Sequence, residues 1–223
     1  MVFQIKICGI TNPADAAAAV DAGADAIGLN FYPLSRRFVS QDFARLITTT
    51  LPVETTKVGV FVNASPADIR SIIGHVRLSA IQLHGSEPAE IVAQLPTFYP
   101  VLSAYRCDAR GLAPCSEYLK QCRSCGRSPD AVLLDAAAEA TDEYGGTGRV
   151  ADWKRIARER DLIGNVWLVL AGGLTPDNVA EAIRIVRPHA VDVASGVESA
   201  PGKKDAAKMR DFVAAARDAF AAH

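Results

Sequence analysis

The chain has 223 residues, of which 49% are hydrophobic and 22% charged, with a formal net charge of -1. That is the profile of a soluble globule large enough to bury a core without metal or disulfide staples. No Lys/Arg stripe marks a nucleic-acid face, no acidic tail is present, and five cysteines at irregular spacing read as free thiols of a reducing cytoplasm. The first residues, "MVFQIKICGI", carry no secretory pattern. The most apolar window, Val166–Leu174, is too short to span a bilayer.

From the N-terminus onward, two kinds of segment alternate. One is short, apolar and β-branched: "FQIKIC", "AIGLNF", "KVGVFV", "AIQLH", "YPVLSAY", "AVLLD", "VWLVLA" and "AVDVAS". Near-continuous apolar runs of this length fit parallel strands covered on both faces. The other is amphipathic at helical period. "NPADAAAAVDAGA" has Asn12 as N-cap, Pro13 at the first helical position and Gly23 at the C-terminal end. Ser65 with Pro66, and Thr175 with Pro176, present the same start signal. Further helices are expected from Ser40, from Glu87 and over the last "DAAKMRDFVAAARDAF". The stretch Asp108–Pro129 makes an ill-defined fifth helix.

Eight strands, each followed by a helical stretch and with no linker between them, predict a single (β/α)8 barrel domain, α/β class, over residues 1–223. An open doubly wound sheet would alternate in the same way, but "KICGIT" is a poor dinucleotide-binding turn.

In a barrel, function gathers at the C-terminal ends of the strands. Gly172 and Gly173 follow the seventh strand, and Ser195 and Gly196 follow the eighth. Small residues before helix starts let backbone N–H groups approach an anion, so these positions predict a phosphate site. "EYGGTG", with Gly145 and Gly146, is either a third backbone contributor or a lid. Cys8 ends the first strand and Asp135 the sixth, so the two face each other across the mouth as a candidate acid–base pair. The alternatives are an inert buried thiol and a turn-capping aspartate. Of the histidines only His84 stands at a strand end, too little for cysteine nucleophile chemistry. A zinc site among Cys107, Cys115, Cys122 and Cys125 is disfavoured, since "CRSC" is the one close-spaced pair. No metal or cofactor is expected.

"KICGIT", "GADAIGLNFYPLSRRFVS", "KVGVFVN", "AIQLHG", "LLDA", "EYGGTG", "LAGGLTPDNV" and "VDVASGVESAPGKKD" occur in order through nearly the whole chain. Taken as an ordered set, they resemble the phosphoribosylanthranilate isomerases of tryptophan biosynthesis. The departure is the cysteine-rich Cys107–Pro129 stretch.

The resemblance implies an Amadori rearrangement of N-(5-phosphoribosyl)anthranilate to 1-(o-carboxyphenylamino)-1-deoxyribulose 5-phosphate, with Asp135 as general acid and Cys8 as general base. A base is needed as thiolate, so the Cys8 thiol is expected at or below its reference value of about 8.5. Arg37 is matched to the substrate carboxylate, where a planar fork suits bidentate recognition. His84 and Asp192 are either sugar or carboxylate contacts or structural residues. Lys203 and Lys204 read as a surface pair at the entry of the last helix. A related barrel performs a parallel Amadori step on a histidine-pathway intermediate, but there the first-strand base is an aspartate. The expected partner is a small phosphosugar–anthranilate substrate, with no nucleic acid or membrane, and the chain is expected as a cytoplasmic monomer or homodimer.

Overall fold

In the computed structural model, which describes residues 3–108, 110–136 and 152–222, eight parallel strands close on themselves in chain order. They are β1 (Ile5–Cys8), β2 (Ala26–Asn30), β3 (Thr56–Phe61), β4 (Ala80–Leu83), β5 (Val101–Cys107), β6 (Ala131–Ala136), β7 (Trp167–Leu170) and β8 (Ala190–Val193). The ring is sealed by β8 pairing with β1, where Lys6 is the register partner of Asp192. Around it run α1 (Pro13–Asp21), α2 (Gln41–Thr50), α3 (Pro66–His75), α4 (Glu90–Gln94), α5 (Ala113–Ser124), α6 (Trp153–Glu159), α7 (Val179–Val186) and α8 (Ala206–Ala221). An antiparallel two-stranded ribbon, β9 (Glu198–Ala200) and β10 (Lys203–Lys204), is inserted between β8 and α8. This is the (β/α)8 architecture expected from the alternating segments.

Each strand's period of two divides its residues between two apolar bodies. Ile5, Ile7, Ile27, Leu29, Ile81, Leu83, Val132 and Leu134 face outward into the layer shared with the helices. Phe3, Ala26, Val58, Ala80, Leu102, Leu133, Val169 and Ala190 fill the barrel interior. Both faces are therefore buried, which is why the strands read as unbroken apolar runs rather than alternating ones. Each such fully buried Val, Leu or Ile contributes roughly 1.5–3 kcal/mol.

The helix signals mostly land where the sequence places them. Asn12, Ser40 and Ser65 accept hydrogen bonds from Asp15, Phe43 and Asp68 backbone N–H groups as N-caps. Gly23 follows the α1 cap with φ +91°. Glu87 and Thr175 are the exceptions: α4 begins at Glu90, while the Glu87 carboxylate accepts from the Asn63 and Gly85 N–H groups. Asn178 Oδ1 accepts the Thr175 N–H at 2.8 Å, and this side-chain turn holds Thr175–Asn178 outside the helix, so α7 begins at Val179. The cysteine-rich segment forms the 12-residue α5, with Cys115 and Cys122 buried against the core. All five cysteines are free thiols. Among the described residues, no helix is long and apolar enough to cross a membrane.

Candidate active site

The C-terminal ends of the strands surround one deep pocket, whose wall includes Cys8, Arg37, His84, Asp135, Gly172 and Ser195. Gly173, Gly196 and Asp192 also border it. Every described residue predicted for the site is thus brought to one mouth. Gly145 and Gly146 lie outside the described residues.

Cys8 points into the barrel because it is two residues beyond Lys6 on β1. Its register partner on β2 is Gly28, where a Cβ would lie 2.6 Å from the Cys8 sulfur. Gly28 is therefore a residue the thiol requires, and it was hidden inside an apolar run. The thiol does not meet the expectation of an ordinary or lowered pKa. Burial pushes it up, and the neighbouring Lys6 and Lys204 charges offset this only in part.

Asp135 is the next-to-last residue of β6, only 6% exposed, with its Oδ2 3.5 Å from His84 Nε2. Beneath the two runs a buried polar chain. Lys6 Nζ donates to Asp192 Oδ1 at 2.8 Å and to Gln82 Oε1 at 2.9 Å, and Gln82 Nε2 lies 2.8 Å from His84 Nδ1. Burial is the largest influence and opposes the Lys6 charge, but the Asp192 carboxylate and the Cys8 sulfur together outweigh it, so its pKa stands above the ordinary lysine value. Asp192 is thereby tied to a structural ion pair while its residue borders the mouth.

Arg37 lies across Gly9, where a Cβ would run into the arginine side chain. Its Nε and Nη2 donate to the two Glu198 carboxylate oxygens at 2.7 and 2.8 Å. Glu198 also accepts from Lys204 Nζ at 2.9 Å, and Lys204 donates to Ala194 O. This corrects the reading of Lys204 as a surface residue. Lys203 is exposed, but Lys204 is 5% exposed and braces the ribbon against the eighth-strand loop. The alternation of a two-stranded ribbon explains the split. Burial alone would raise the Glu198 carboxyl, yet Arg37 and Lys204 hold it below the usual carboxylate range.

In the loop after β7, Gly172 and Gly173 have φ +83° and +69°, conformations that favour glycine. A Cβ at Gly196 would collide with Leu174 O, so the two glycine loops are packed directly on each other. Ser195 opens a short 3-10 turn, Ser195–Val197.

A parallel eight-stranded barrel with a carboxyl and a thiol at its mouth, beside paired glycine loops after β7 and β8, defines a phosphosugar-handling barrel enzyme. The family model for N-(5'-phosphoribosyl)anthranilate (PRA) isomerase matches residues 5–215. The N-(5'-phosphoribosyl)anthranilate isomerase of Trichlorobacter lovleyi is 46% identical over 98% of this chain and all of its own. That of Thermotoga petrophila is 43% identical over 95% of this chain and 97% of its own. Among solved structures, the Thermotoga maritima phosphoribosyl anthranilate isomerase superposes with a TM-score of 0.85 at 39% identity, covering 97% of this chain and all of that one. A phosphoribosyl anthranilate isomerase in complex with reduced 1-(o-carboxyphenylamino)-1-deoxyribulose 5-phosphate superposes with a TM-score of 0.82, over 97% of this chain and all of that one. The chain belongs to the N-(5'-phosphoribosyl)anthranilate isomerase family, and it is an isomerase.

Sequence reasoning missed Lys6, Gln82, Gly28 and Glu198. The first two stood inside the quoted motifs "KICGIT" and "AIQLHG", and the signal was a Lys and a Gln in runs otherwise apolar enough to be fully buried.

Proposed function

We propose that this chain, one barrel domain over residues 1–223, converts N-(5-phosphoribosyl)anthranilate to 1-(o-carboxyphenylamino)-1-deoxyribulose 5-phosphate by general acid–base catalysis. The observation that carries the reading is the meeting of Cys8, Asp135 and Arg37 with the Gly172–Gly173 and Ser195–Gly196 loops at one mouth.

Asp135 protonates the furanose ring oxygen, the bond from that oxygen to the first sugar carbon breaks, and the nitrogen lone pair closes a C=N bond. The result is a protonated Schiff base. Cys8, as thiolate, takes the proton from the second carbon, and the freed electron pair forms C1=C2 while neutralising the nitrogen. The enolamine then loses its hydroxyl proton and gains one at the first carbon, giving the ketone. No covalent bond to sulfur is needed.

The raised thiol pKa fits this order of events. The thiol is largely protonated in the empty site, and the Schiff-base cation formed by the first step draws the thiolate out. Backbone N–H groups of the glycine loops bind the phosphate. Glu198 holds the Nε–Nη2 edge of Arg37, so the guanidinium meets the anthranilate carboxylate with its other edge. The enzyme works in the cytoplasm as a monomer or homodimer. One relative's solved structure is of monomers generated from the dimeric Thermotoga maritima enzyme.

The test is turnover of the purified chain with phosphoribosylanthranilate and with the histidine-pathway aminoaldose. Saturable conversion of the first and a far smaller kcat/KM for the second are expected. Failure to convert the first overturns the reading.

A further inference from the structure

We infer that Lys6 and Gln82 are positioning residues that set the tautomer of His84, so that its Nε2–H is presented to Asp135. The inference rests on the reading of Asp135 as the general acid.

What fixes the tautomer is which groups can donate. A lysine ammonium is a donor only. Lys6 lies 2.9 Å from one end of the Gln82 amide, so that end is the carbonyl oxygen and the NH2 points the other way. Lys6 and Gln82 are both 0% exposed, so neither water nor another rotamer relaxes the constraint. The Gln82 NH2 then lies 2.8 Å from His84 Nδ1. An amide NH2 cannot accept, so Nδ1 is the acceptor, and the proton of the neutral imidazole is on Nε2. Nε2 is the nitrogen 3.5 Å from Asp135 Oδ2.

The ammonium itself is fixed from a second side. Asp192, its register partner on β8, accepts at 2.8 Å. The same charge pulls the Cys8 thiol down against the effect of burial. One buried charge therefore acts on the base and, through two side chains, orients the donor that faces the acid. At 3.5 Å the His84–Asp135 contact is long, as catalytic hydrogen bonds often are without substrate. When Asp135 gives its proton to the ring oxygen, the new carboxylate charge tightens the Nε2–H bond. The donor thus acts more strongly in the transition state than before it.

The charged groups around the imidazole are Asp135 on β6, Lys6 and Asp192 through Gln82, and Glu87, Arg106, Asp108 and Arg110 along the cleft that His84 and Asp135 also border. Among the described residues, the group at hydrogen-bond distance from Nδ1 is the neutral Gln82 amide.

The experiment is 15N NMR of the full-length enzyme labelled at histidine, with the His84 signals assigned by their loss in His84→Gln. It is run at a pH where the 15N shifts themselves show the ring neutral, with one protonated and one unprotonated nitrogen. The wild type is expected to show His84 as the Nε2–H tautomer. Finding Nδ1–H there overturns the inference without any variant. In Gln82→Glu, a carboxylate replaces the amide donor, so the proton is expected on Nδ1, with kcat lower by roughly tenfold to a hundredfold and KM little changed. Gln82→Met, which fills the volume and directs no tautomer, is expected to fall between. If both variants keep wild-type kcat, or Gln82→Glu keeps Nε2–H, the inference is wrong. Wild-type kcat in Asp135→Asn would instead remove the acid reading, leaving the tautomer result standing.

Discussion

The barrel interior has two storeys built on the same strands. The lower one is apolar, with Val58, Leu102, Leu133 and Val169 filling it from four strands and Phe3 from the segment before β1. The upper one is polar: buried Lys6 donates to buried Gln82 and Asp192, and Cys8, His84 and Asp135 open onto the pocket above them. The difference between the storeys is one of tolerance. The lower depends on volume, which neighbouring side chains can adjust. The upper depends on each donor meeting its acceptor, because a half-satisfied buried network is worse than an apolar one.

The sharpest way to break the contrast is Lys6→Met, which keeps the stem volume and strands the Asp192 carboxylate. Removing one partner of a buried pair is expected to cost about 3–5 kcal/mol, read from urea unfolding, with loss of turnover. Stability equal to wild type would show that the pair is not what holds the upper storey.

Leu133→Ala probes the lower storey. A cavity there is expected to cost about 2–5 kcal/mol, while kcat per folded molecule stays near wild type. A kcat collapse without misfolding would show that the two storeys are not separable.

Gly28→Ala places a methyl against the Cys8 sulfur. It is expected to cost about 1–3 kcal/mol by overpacking and to depress kcat more than any other alanine substitution of similar stability cost on the same strand. Unchanged kcat and stability would refute the close fit.

Glu198→Gln loosens the hold on Arg37. KM for substrate is expected to rise, with a smaller change in kcat. The pH sign is fixed by the lowered Glu198 carboxyl. Its contribution to stability is complete above the unfolded value of about 4.3 and is lost as pH falls through the lower folded value. Wild type should therefore lose its advantage over Glu198→Gln on acidification, and a gap that widens toward low pH would contradict the assignment.

The smallest effect is on Cys8 reactivity in the free enzyme. Because burial raises its pKa, the thiolate fraction grows as pH rises toward a midpoint above that of an ordinary thiol. Alkylation by iodoacetamide should follow that curve, and a midpoint below about 8.5 would contradict it.

These two storeys were not equally legible in the sequence. The lower storey and the strand order follow from apolar runs separated by capped helices, and Asn12, Ser40 and Ser65 mark helix starts by local chemistry alone. The rim residues Cys8, Asp135, Gly172 and Ser195 were found because the barrel rule says where to look. Lys6 and Gln82 were not, since the bond that joins them spans 76 residues and the Lys6–Asp192 pair spans 186. Lys204 was misplaced for the same reason, as only the ribbon's pairing turns it inward against Glu198. The thiol's raised pKa depends on how deeply the mouth buries Cys8, which no local motif states.

The account's central claim is that the thiol at the end of β1 and the carboxyl at the end of β6 divide one isomerisation between them. The most direct measurement is kcat of Cys8→Ser at saturating substrate, with the affinity for reduced product analogue measured on the same preparation. A loss of about 100- to 10,000-fold in kcat with nearly unchanged affinity is the predicted result. A Cys8→Ser enzyme turning over at the wild-type rate would contradict it.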